Sequence, residues 1–274
     1  MEILVLGGTK FFGVPMVNDL LKNKHNITIA TRGIYKDSFG DDVSRIILDR
    51  TNPKSIEAAL SGRHFDLVYD KIAYCSNDIK YLLDILSCDR YIYMSTTAVY
   101  EPKRINTVEE DFNPKERQFV WCSRSDFPYD VIKRNAECAL FQEYSMFNSI
   151  AVRYPVVLGK DDYTKRLYFY VENIIKGIPM HVNNLDAQMG FINSDDAGLF
   201  MSFLADKNFK GAINGCSKGT ISLSEIFNYV EQKTIKKAIL DKNGIPAPYN
   251  NEIPFSINTN KANNLGFEFS DINN

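Results

Sequence analysis

The sequence predicts an α/β fold in which a doubly wound parallel sheet is followed by a smaller C-terminal mixed α/β region. Three observations support this class. Short apolar runs alternate with segments of helical apolar spacing, and a glycine-rich turn directly follows the first run. The length of 274 residues suits one large domain, or a nucleotide domain with a smaller partner region. Because strands alternate with helices, right-handed crossovers and parallel strands are expected.

The first thirteen residues predict a strand, a tight turn and the start of a helix. The apolar run 3–6 leads directly into Gly7 and Gly8, and Gly13 stands just before a helical segment at 14–22. Such a turn brings backbone N–H groups and a helix N-terminus close to a pyrophosphate, which Cβ atoms would obstruct. The turn therefore predicts a dinucleotide site, with a plain strand-to-helix connection as the alternative.

The remaining elements follow from the same periodicities. Strands are predicted at 27–30, 45–48, 66–69, 91–94 and 149–154, and helices at 53–60, 77–86 and 129–144. Later segments are predicted as helices at 164–176 and 195–204, a strand at 190–193, and further pieces at 211–215, 222–231 and 238–240. We place a soft boundary between a dinucleotide-binding domain, residues 1–155, and a smaller substrate-binding region, residues 156–274. Some later segments are expected to rejoin the sheet.

Composition excludes several classes of protein. A net charge of −2 gives no electrostatic case for nucleic acid or an anionic membrane as the main partner. The five cysteines are scattered and include no CxxC pair, which favours a reduced cytoplasmic location. The first apolar run is too short for a signal peptide or a membrane span, so no targeting segment is expected. His25, His64 and His181 have no metal-ligand neighbour at a useful spacing, and no metal is predicted.

A tyrosine and a lysine stand four residues apart on the predicted helix 129–144. Tyr129 and Lys133 share one face of that helix, and the face is otherwise apolar. Because an unpartnered ammonium is costly to bury, the lysine needs a reason to lie there. The tyrosine supplies one, since the ammonium would favour the phenolate and lower the tyrosine pKa. The pair is therefore a candidate acid/base device.

The same spacing recurs at Tyr229 and Lys233, so the surrounding sequence must distinguish the two pairs. Tyr129 lies downstream of a strand that ends in the hydroxyl run Ser95-Thr96-Thr97. Ligands bind at the carboxyl ends of parallel strands. No such strand precedes Tyr229, which we interpret as a packing residue beside a solvated lysine.

Together these features resemble the extended short-chain dehydrogenase/reductases, also called the NAD-dependent epimerase/dehydratase family, whose fold is Rossmann-like. The resemblance spans nearly the whole chain. The motifs that carry it are Gly7-Gly8-Thr9-Lys10-Phe11-Phe12-Gly13, Asp49, Ser95-Thr96-Thr97-Ala98-Val99-Tyr100, Tyr129 with Lys133, Arg153-Tyr-Pro155, and Gly190-Phe-Ile-Asn-Ser-Asp-Asp196.

The resemblance implies a site for hydride transfer. Tyr129 would be the acid/base, and Lys133 would lower its pKa and hold the nicotinamide ribose. Thr96 would hydrogen-bond the reacting carbonyl or hydroxyl, although a strand-end hydroxyl that caps a turn is the alternative. Asp49 would reach the adenine, and residues 70–74 would lie along the cofactor. The residues implied in cofactor binding are Gly7, Gly8, Thr9, Lys10, Phe11, Phe12, Gly13, Thr31, Arg32, Asp49, Asp70, Ala73, Tyr129, Lys133, Tyr154 and Pro155.

The chain departs from the family pattern at the cofactor turn and at the second strand. Lys10 stands where the pattern usually has a glycine. The second strand ends in Thr31 and Arg32 instead of the acidic residue that would bind a ribose 2′-hydroxyl. An arginine at this place accommodates a 2′-phosphate, and Lys10 could add a second positive charge. The sequence therefore favours NADP over NAD, with two solvated rim side chains as the alternative.

Two loops are candidates for the substrate side. The loop after Pro155 stands where the family places substrate-contacting residues. In it, Lys165 and Arg166 could meet the diphosphate of a nucleotide sugar, and Tyr163 could stack on its base. An ordinary solvated loop is the alternative. The long polar loop 101–128 carries Phe119 and Trp121, which we expect to cover the site when substrate binds.

The resemblance predicts an NAD(P)-dependent epimerase, dehydratase or reductase that acts on a nucleotide sugar or a related carbonyl or alcohol. A sugar 4,6-dehydratase would be expected to carry acidic residues beside Thr96. The next two residues here are Thr97 and Ala98, which argues against that arrangement. The basic residue in the turn is also similar to an atypical branch that includes the chloroplast stem-loop RNA-binding proteins, some of which have lost catalytic residues. The alternative is therefore a non-catalytic cofactor-binding sensor or an RNA-associated protein. Homodimers formed through helices beside the sheet are common in the family.

Overall fold

A seven-stranded parallel sheet forms the centre of the computed structural model, which describes residues 1–273. The strands in chain order are β1 (Glu2–Leu6), β2 (Asn26–Thr31), β3 (Ser44–Ile47), β4 (His64–Asp70), β5 (Ser87–Thr96), β6 (Asn148–Tyr154), β7 (Val156–Leu158), β8 (Met180–His181), β9 (Phe191–Asn193), β10 (Gly211–Asn214) and β11 (Ile245–Pro246). The order in the large sheet is β10-β6-β5-β4-β1-β2-β3. The chain reverses its direction of progress between β1 and β4, which is where open α/β sheets bind ligands.

The helices of residues 1–273 connect and flank these strands. They are α1 (Gly13–Lys22), α2 (Pro53–Leu60), α3 (Ser76–Leu83), α4 (Tyr129–Gln142), α5 (Arg166–Lys176), α6 (Ser194–Phe203), α7 (Leu223–Thr234) and α8 (Asn260–Asn264). Local chemistry sets several of their ends. The Asn52 side chain accepts from the backbone N–H groups of Lys54 and Ser55 at the start of α2. Gly177, at φ 64°, ends α5 in the left-handed region that glycine favours.

Alternate residues of the central strands enter two different cores. Ile3 and Val5 of β1 pack with α1 and α6 on one face of the sheet. Leu4 and Leu6 pack with α2, α3 and α4 on the other face. A strand that is buried on both faces reads as a continuous apolar run, which is why its sequence pattern is so clear. The predicted doubly wound α/β fold is confirmed.

One late strand returns to the sheet. β10 pairs in parallel with β6, with Gly211 opposite Ile150 and Asn214 opposite Arg153. The other late strands form two small pairs, β7 with β9 and β8 with β11, over a third apolar cluster. Among residues 1–273, none of the helices combines the length and apolar character that crossing a membrane requires.

The fifth strand is longer than its apolar pattern predicted. β5 begins at Ser87 and includes the polar residues Asp89 and Arg90. Pairing with β4 extends it, and Arg90 finds acceptors outside the strand, because its Nη2 donates to the carbonyl oxygens of Leu204 and Lys207. Tertiary pairing therefore overrides the local polar signal here.

Candidate functional site

A cavity of about 530 Å³ opens at the carboxyl ends of the central strands, beside the switch point. Its walls come from the turn after β1, the ends of β2 and β3, and the segment after β4. The predicted cofactor residues that line it are Gly7, Thr9, Lys10, Phe11, Phe12, Thr31, Arg32 and Asp49. Its volume lies in the usual range of small-molecule and cofactor sites.

The glycine turn leaves no space for side chains at its two ends. Gly7 has φ +83°, and a Cβ there would lie 2.5 Å from the Ile72 side chain. A Cβ on Gly13 would lie 2.6 Å from the Gly8 carbonyl oxygen. Between them Phe11 adopts φ 54°, a left-handed conformation that is unfavourable for a residue with a Cβ. This geometry is what a backbone cradle for an anion requires, and the residues present fit a dinucleotide.

Basic side chains surround the cavity near the ends of β2 and β3. Lys10 Nζ lies 3.2 Å from the ring centroid of Tyr35, and Arg32 is exposed. The hydroxyl and the backbone N–H of Thr51 hold the pKa of Asp49 below its usual value, and the positive charge of Arg32 contributes in the same direction. Asp49 therefore faces the cavity as a carboxylate that Thr51 already orients.

Asp70 is held in a buried ion pair and does not line the cavity. Arg50 Nη2 donates to Asp70 Oδ2, and the Tyr91 hydroxyl donates to the same oxygen at 2.8 Å. The Arg50 side chain is 3% exposed and lines the cavity in place of Asp70. Its Nε and Nη1 atoms are buried without a hydrogen-bond partner within the described chain. Asp70 thus orients Arg50 toward the cavity and does not line it itself, and a contact between Asp70 and the cofactor stays a prediction.

Lys133 is buried and bridges two strand ends. Its Nζ donates to the carbonyl oxygens of Ala73, at 3.0 Å, and Met94, at 2.7 Å. Lys133 is 1% exposed. Burial lowers its pKa to about 7, although Asp70 and Glu137 act in the opposite direction.

Tyr129 does not have the lowered pKa that the sequence predicted. Its side chain is 48% exposed, and its ring meets the Tyr74 ring edge-on at 6.2 Å between centroids. Burial of part of the ring raises the pKa of Tyr129 above its ordinary value, and a hydrogen bond with the Thr96 hydroxyl offsets part of this rise. Lys133 contributes no such lowering, because two carbonyls engage its ammonium and its own pKa is near 7.

Thr96 and the residues at the end of β6 have local structural roles. Thr96 Oγ1 accepts from the backbone N–H of Ala98 at 3.2 Å, so it caps the short turn Thr97–Val99 as the alternative interpretation proposed. Its hydroxyl hydrogen is still available to donate. The Tyr154 hydroxyl donates to the carbonyl oxygen of Ala197, and the side chain is only 2% exposed. Tyr154 and Pro155 do not line the cavity and support it from the core.

The three predicted substrate residues lie in different surroundings. Tyr163 is 70% exposed and lines the cavity, where its ring packs edge-on against Phe11 at 6.2 Å between centroids. Burial raises the pKa of both Tyr129 and Tyr163, and Arg166 lies near enough to both that its charge opposes this rise. Lys165 turns toward Tyr168. The structure therefore brings Tyr163 and Arg166 to the same end of the site as Tyr129.

The long loop contributes Arg124 to the cavity wall, whereas Trp121, which we expect to cover the site when substrate binds, lies elsewhere in this structure. Trp121 packs beside Lys80 of α3, away from the cavity. The loop is held there by Ser76, whose hydroxyl donates to the Val120 carbonyl oxygen at 2.8 Å. Arg124 lines the cavity, and its Nη2 donates to the Ile72 carbonyl oxygen at 2.8 Å. Nothing in the sequence distinguishes Arg124 from the other basic residues of the loop.

A second residue that sequence reasoning did not single out is Lys71, which directly follows β4. It lines the cavity, is 6% exposed, and lies with its Nζ 3.9 Å from the ring centroid of Phe12. The signal in the sequence is a lysine at the end of a buried strand, within the segment 70–74 that the resemblance places along the cofactor.

The Tyr229–Lys233 pair and His64 lie outside the cavity. Tyr229 is 63% exposed with Lys233 beside its ring, so this second pair lies at the surface and Tyr229 packs against the lysine. His64 lies with Asp66 and Asp89 in an exposed group at the other edge of the sheet. Exposed carboxylates are common without metal, and the absence of a metal stays a prediction.

Comparisons with known proteins agree with the fold. No protein-family model matches the chain. In sequence it is 25% identical over 270 residues to the chloroplast stem-loop binding protein of 41 kDa b from Arabidopsis thaliana. The match covers 90% of this chain and 64% of that protein, so the chain spans less than two thirds of the relative's length.

Solved structures of similar fold include several epimerases. A putative epimerase from Burkholderia cenocepacia has a TM-score of 0.72 at 17% identity, covering 96% of this chain and 91% of its own. The UDP-glucose 4-epimerase of Thermotoga maritima, solved with UDP-glucose, has a TM-score of 0.72 at 15% identity, covering 98% and 93%. The UDP-glucuronic acid 4-epimerase of Bacillus cereus, solved with UDP-glucuronic acid and NAD, has a TM-score of 0.72 at 18% identity, covering 97% and 92%. The chain therefore has the fold of the extended short-chain dehydrogenase/reductases, the family that its sequence resembles.

Proposed function

We propose that this protein is an NAD(P)-dependent enzyme that moves a hydride between the nicotinamide and a carbon of a nucleotide sugar or a related carbonyl or alcohol substrate. One observation carries the proposal. Buried Lys133 donates to Ala73 O, beside the cofactor cavity, and to Met94 O, at the end of β5, one helical turn from half-exposed Tyr129. An acid/base side chain thus stands at the carboxyl edge of the sheet next to a dinucleotide cradle.

The site residues have separable roles in this proposal. Tyr129 gives a proton to, or takes one from, the substrate oxygen. Thr96, whose Oγ1 accepts from the backbone N–H of Ala98, donates its hydroxyl hydrogen to that same oxygen. Lys133 holds the nicotinamide ribose from its position between the carbonyl oxygens of Ala73 and Met94. The nicotinamide, when bound, supplies or receives the hydride.

NADP is the proposed cofactor. Arg32 and Lys10 both line the cavity near the end of β2, where a 2′-phosphate would lie. Neither has a carboxylate within 4.0 Å among the described residues. An arginine that is not paired is free to bind a phosphate through two hydrogen bonds.

The proposed substrate is a nucleotide sugar. Tyr163 and Arg166 lie at the same end of the site as Tyr129, so an aromatic ring and a guanidinium are available for a base and a diphosphate. The epimerases of similar fold were solved with UDP-glucose and UDP-glucuronic acid. We further propose that the protein acts in the cytoplasm.

The test begins with the affinity of the purified chain for NADP and NAD, followed by assays with UDP-glucose, UDP-galactose and UDP-glucuronic acid. Tyr129→Phe removes the acid/base oxygen and keeps the ring. The proposal expects this variant to bind cofactor as the wild type does and to lose turnover by about 100-fold or more. A wild-type protein that binds neither dinucleotide, or a Tyr129→Phe variant that retains full turnover, would contradict it.

A second candidate function rests on the similarity to the chloroplast stem-loop binding protein. In this version the chain is a cofactor-binding sensor or an RNA-associated protein without turnover. The net charge of −2 weakens the RNA version, because phosphate backbones select basic surfaces. Titration with a labelled stem-loop RNA at two salt concentrations separates the candidates, since the enzyme hypothesis expects no specific RNA binding.

A further inference from the structure

Lys71 is a buried lysine without a carboxylate partner among residues 1–273, and it lies beside the glycine turn. Its Nζ is 3.5 Å from the Gly7 carbonyl oxygen and 3.9 Å from the Phe12 ring centroid. It also lies 2.5 Å from the position that a Cβ on Gly13 would occupy. No carboxylate of residues 1–273 comes within 4.0 Å of it. Burying an unpaired ammonium costs free energy, so burial here favours the neutral amine until an anion binds beside it.

Three carboxylates of β4, α1 and α6 are engaged by other side chains. Asp70 precedes Lys71 in the chain but pairs with Arg50 and Tyr91. Asp19 of α1 accepts from Ser202, and Asp196 of α6 accepts from Ser270. The charged side chains that share the cavity with Lys71 are Lys10, Arg32, Asp49, Arg50 and Arg124, and the phenols are Tyr35, Tyr74 and Tyr163.

Among residues 1–273, Asp49 is the one carboxylate that lines the cavity, and Thr51 orients it through two hydrogen bonds. The cavity therefore presents more positive than negative charge to a ligand. A side chain with a buried ammonium at the turn is placed to meet the most negative part of a dinucleotide, since the turn faces the pyrophosphate.

We propose that Lys71 binds the pyrophosphate of the dinucleotide and takes up a proton from solvent when the dinucleotide binds. The inference rests on the proposed function, because it requires that a nicotinamide dinucleotide binds in this cavity. It adds a binding residue that the glycine turn alone does not supply. It also makes cofactor affinity depend on pH.

The direction of the pH dependence follows from the burial of Lys71. Burial lowers its pKa to about 7, with no charged neighbour contributing. A bound anion favours the ammonium and raises that pKa. At or below about pH 6 the lysine is already protonated and no proton is taken up, whereas above about pH 7 binding must recruit the proton. Affinity therefore falls as pH rises.

The experiment is titration calorimetry of the full chain with NAD and with NADP between about pH 6 and about pH 9, in buffers of different ionisation enthalpy. The 2′-phosphate of NADP has its own ionisation near pH 6, so uptake seen with both ligands belongs to the protein. The variants are Lys71→Met, which keeps the length of the side chain, and Lys71→Arg, which keeps the charge. Lys22→Met, at the exposed far end of α1, is the matched control.

We expect Lys71→Met to weaken binding of both ligands about 10- to 100-fold near pH 6.5 and to reduce the proton uptake. Lys71→Arg should restore affinity without pH dependence, because arginine stays protonated throughout. Wild-type affinity and proton uptake in Lys71→Met would overturn this inference and leave the proposed function standing. If the wild type binds neither NAD nor NADP, both are overturned.

Discussion

Arg153 of β6 donates through Nε to Glu137 of α4 at 2.9 Å, and both side chains are fully buried. The other guanidinium nitrogens donate to the carbonyl oxygens of Glu109, at 2.8 Å, and Phe112, at 3.0 Å. One arginine thus connects the sheet, the helix that carries Tyr129, and the long loop. The pair lies one turn beyond Lys133 and holds the site's main helix in place.

Breaking this pair should destabilise the protein strongly. Glu137→Gln leaves the Arg153 charge buried without its counter-ion, which typically costs about 3–5 kcal/mol. Urea denaturation measures the loss. Glu172→Gln, which breaks the exposed pair with Lys176, is the matched control and should cost less than about 1 kcal/mol. Equal losses of unfolding free energy in the two variants would show that the buried pair stabilises the fold no more than an exposed pair does.

The buried Lys133 should make the stability of the protein depend on pH. Its folded-state pKa of about 7 lies below the ordinary value of 10.5, so the unfolded chain binds more protons between these values. Stability contributed by this site therefore rises with pH above about 7, by up to about 1.4 kcal/mol per pH unit.

In Lys133→Met that contribution is absent. The free energy of unfolding of the variant minus that of the wild type, measured between about pH 7 and about pH 9, should decrease as pH rises, because only the wild type gains stability from this site. Using the difference cancels the titration of thiols and phenols common to both proteins. A difference that does not change with pH would mean that Lys133 keeps an ordinary pKa in the folded state.

The cofactor preference should depend on Arg32. Arg32→Ala removes the proposed partner of the 2′-phosphate and should weaken NADP binding about 10-fold or more, leaving NAD binding within about 2-fold of wild type. Fluorescence titration with the two reduced cofactors measures both constants. If both affinities fall equally, Arg32 contacts a part of the molecule that NAD and NADP share.

Gly13 should tolerate no side chain. In Gly13→Ala the new Cβ meets the Gly8 carbonyl oxygen at 2.6 Å, and backbone must shift to relieve the contact. We expect a loss of about 1–3 kcal/mol of stability, as for other overpacked sites, together with loss of dinucleotide binding. Thermal unfolding with and without NADP measures both effects. Full binding by this variant would show that the turn does not hold the pyrophosphate.

Much of the fold followed from local sequence patterns. The two-sided apolar run of β1 and the Asn52-Pro53 start of α2 are written in consecutive residues, so both were predicted within a residue or two. The carboxyl-edge position of Tyr129 followed from the order of strands and helices. These features depend on periodicity, capping and chain direction, which the sequence states directly.

The electrostatics of the site depended on contacts between distant segments. Arg50 and Asp70 stand twenty residues apart, yet their pairing decides which of them faces the cavity. Burial sets the pKa of Lys133 near 7 and raises that of Tyr129, against the sequence prediction. The sequence by itself determined the first strand, the glycine turn and the doubly wound fold. Only the tertiary structure decided which charges are neutralised, because desolvation and pairing arise when separate strand ends meet.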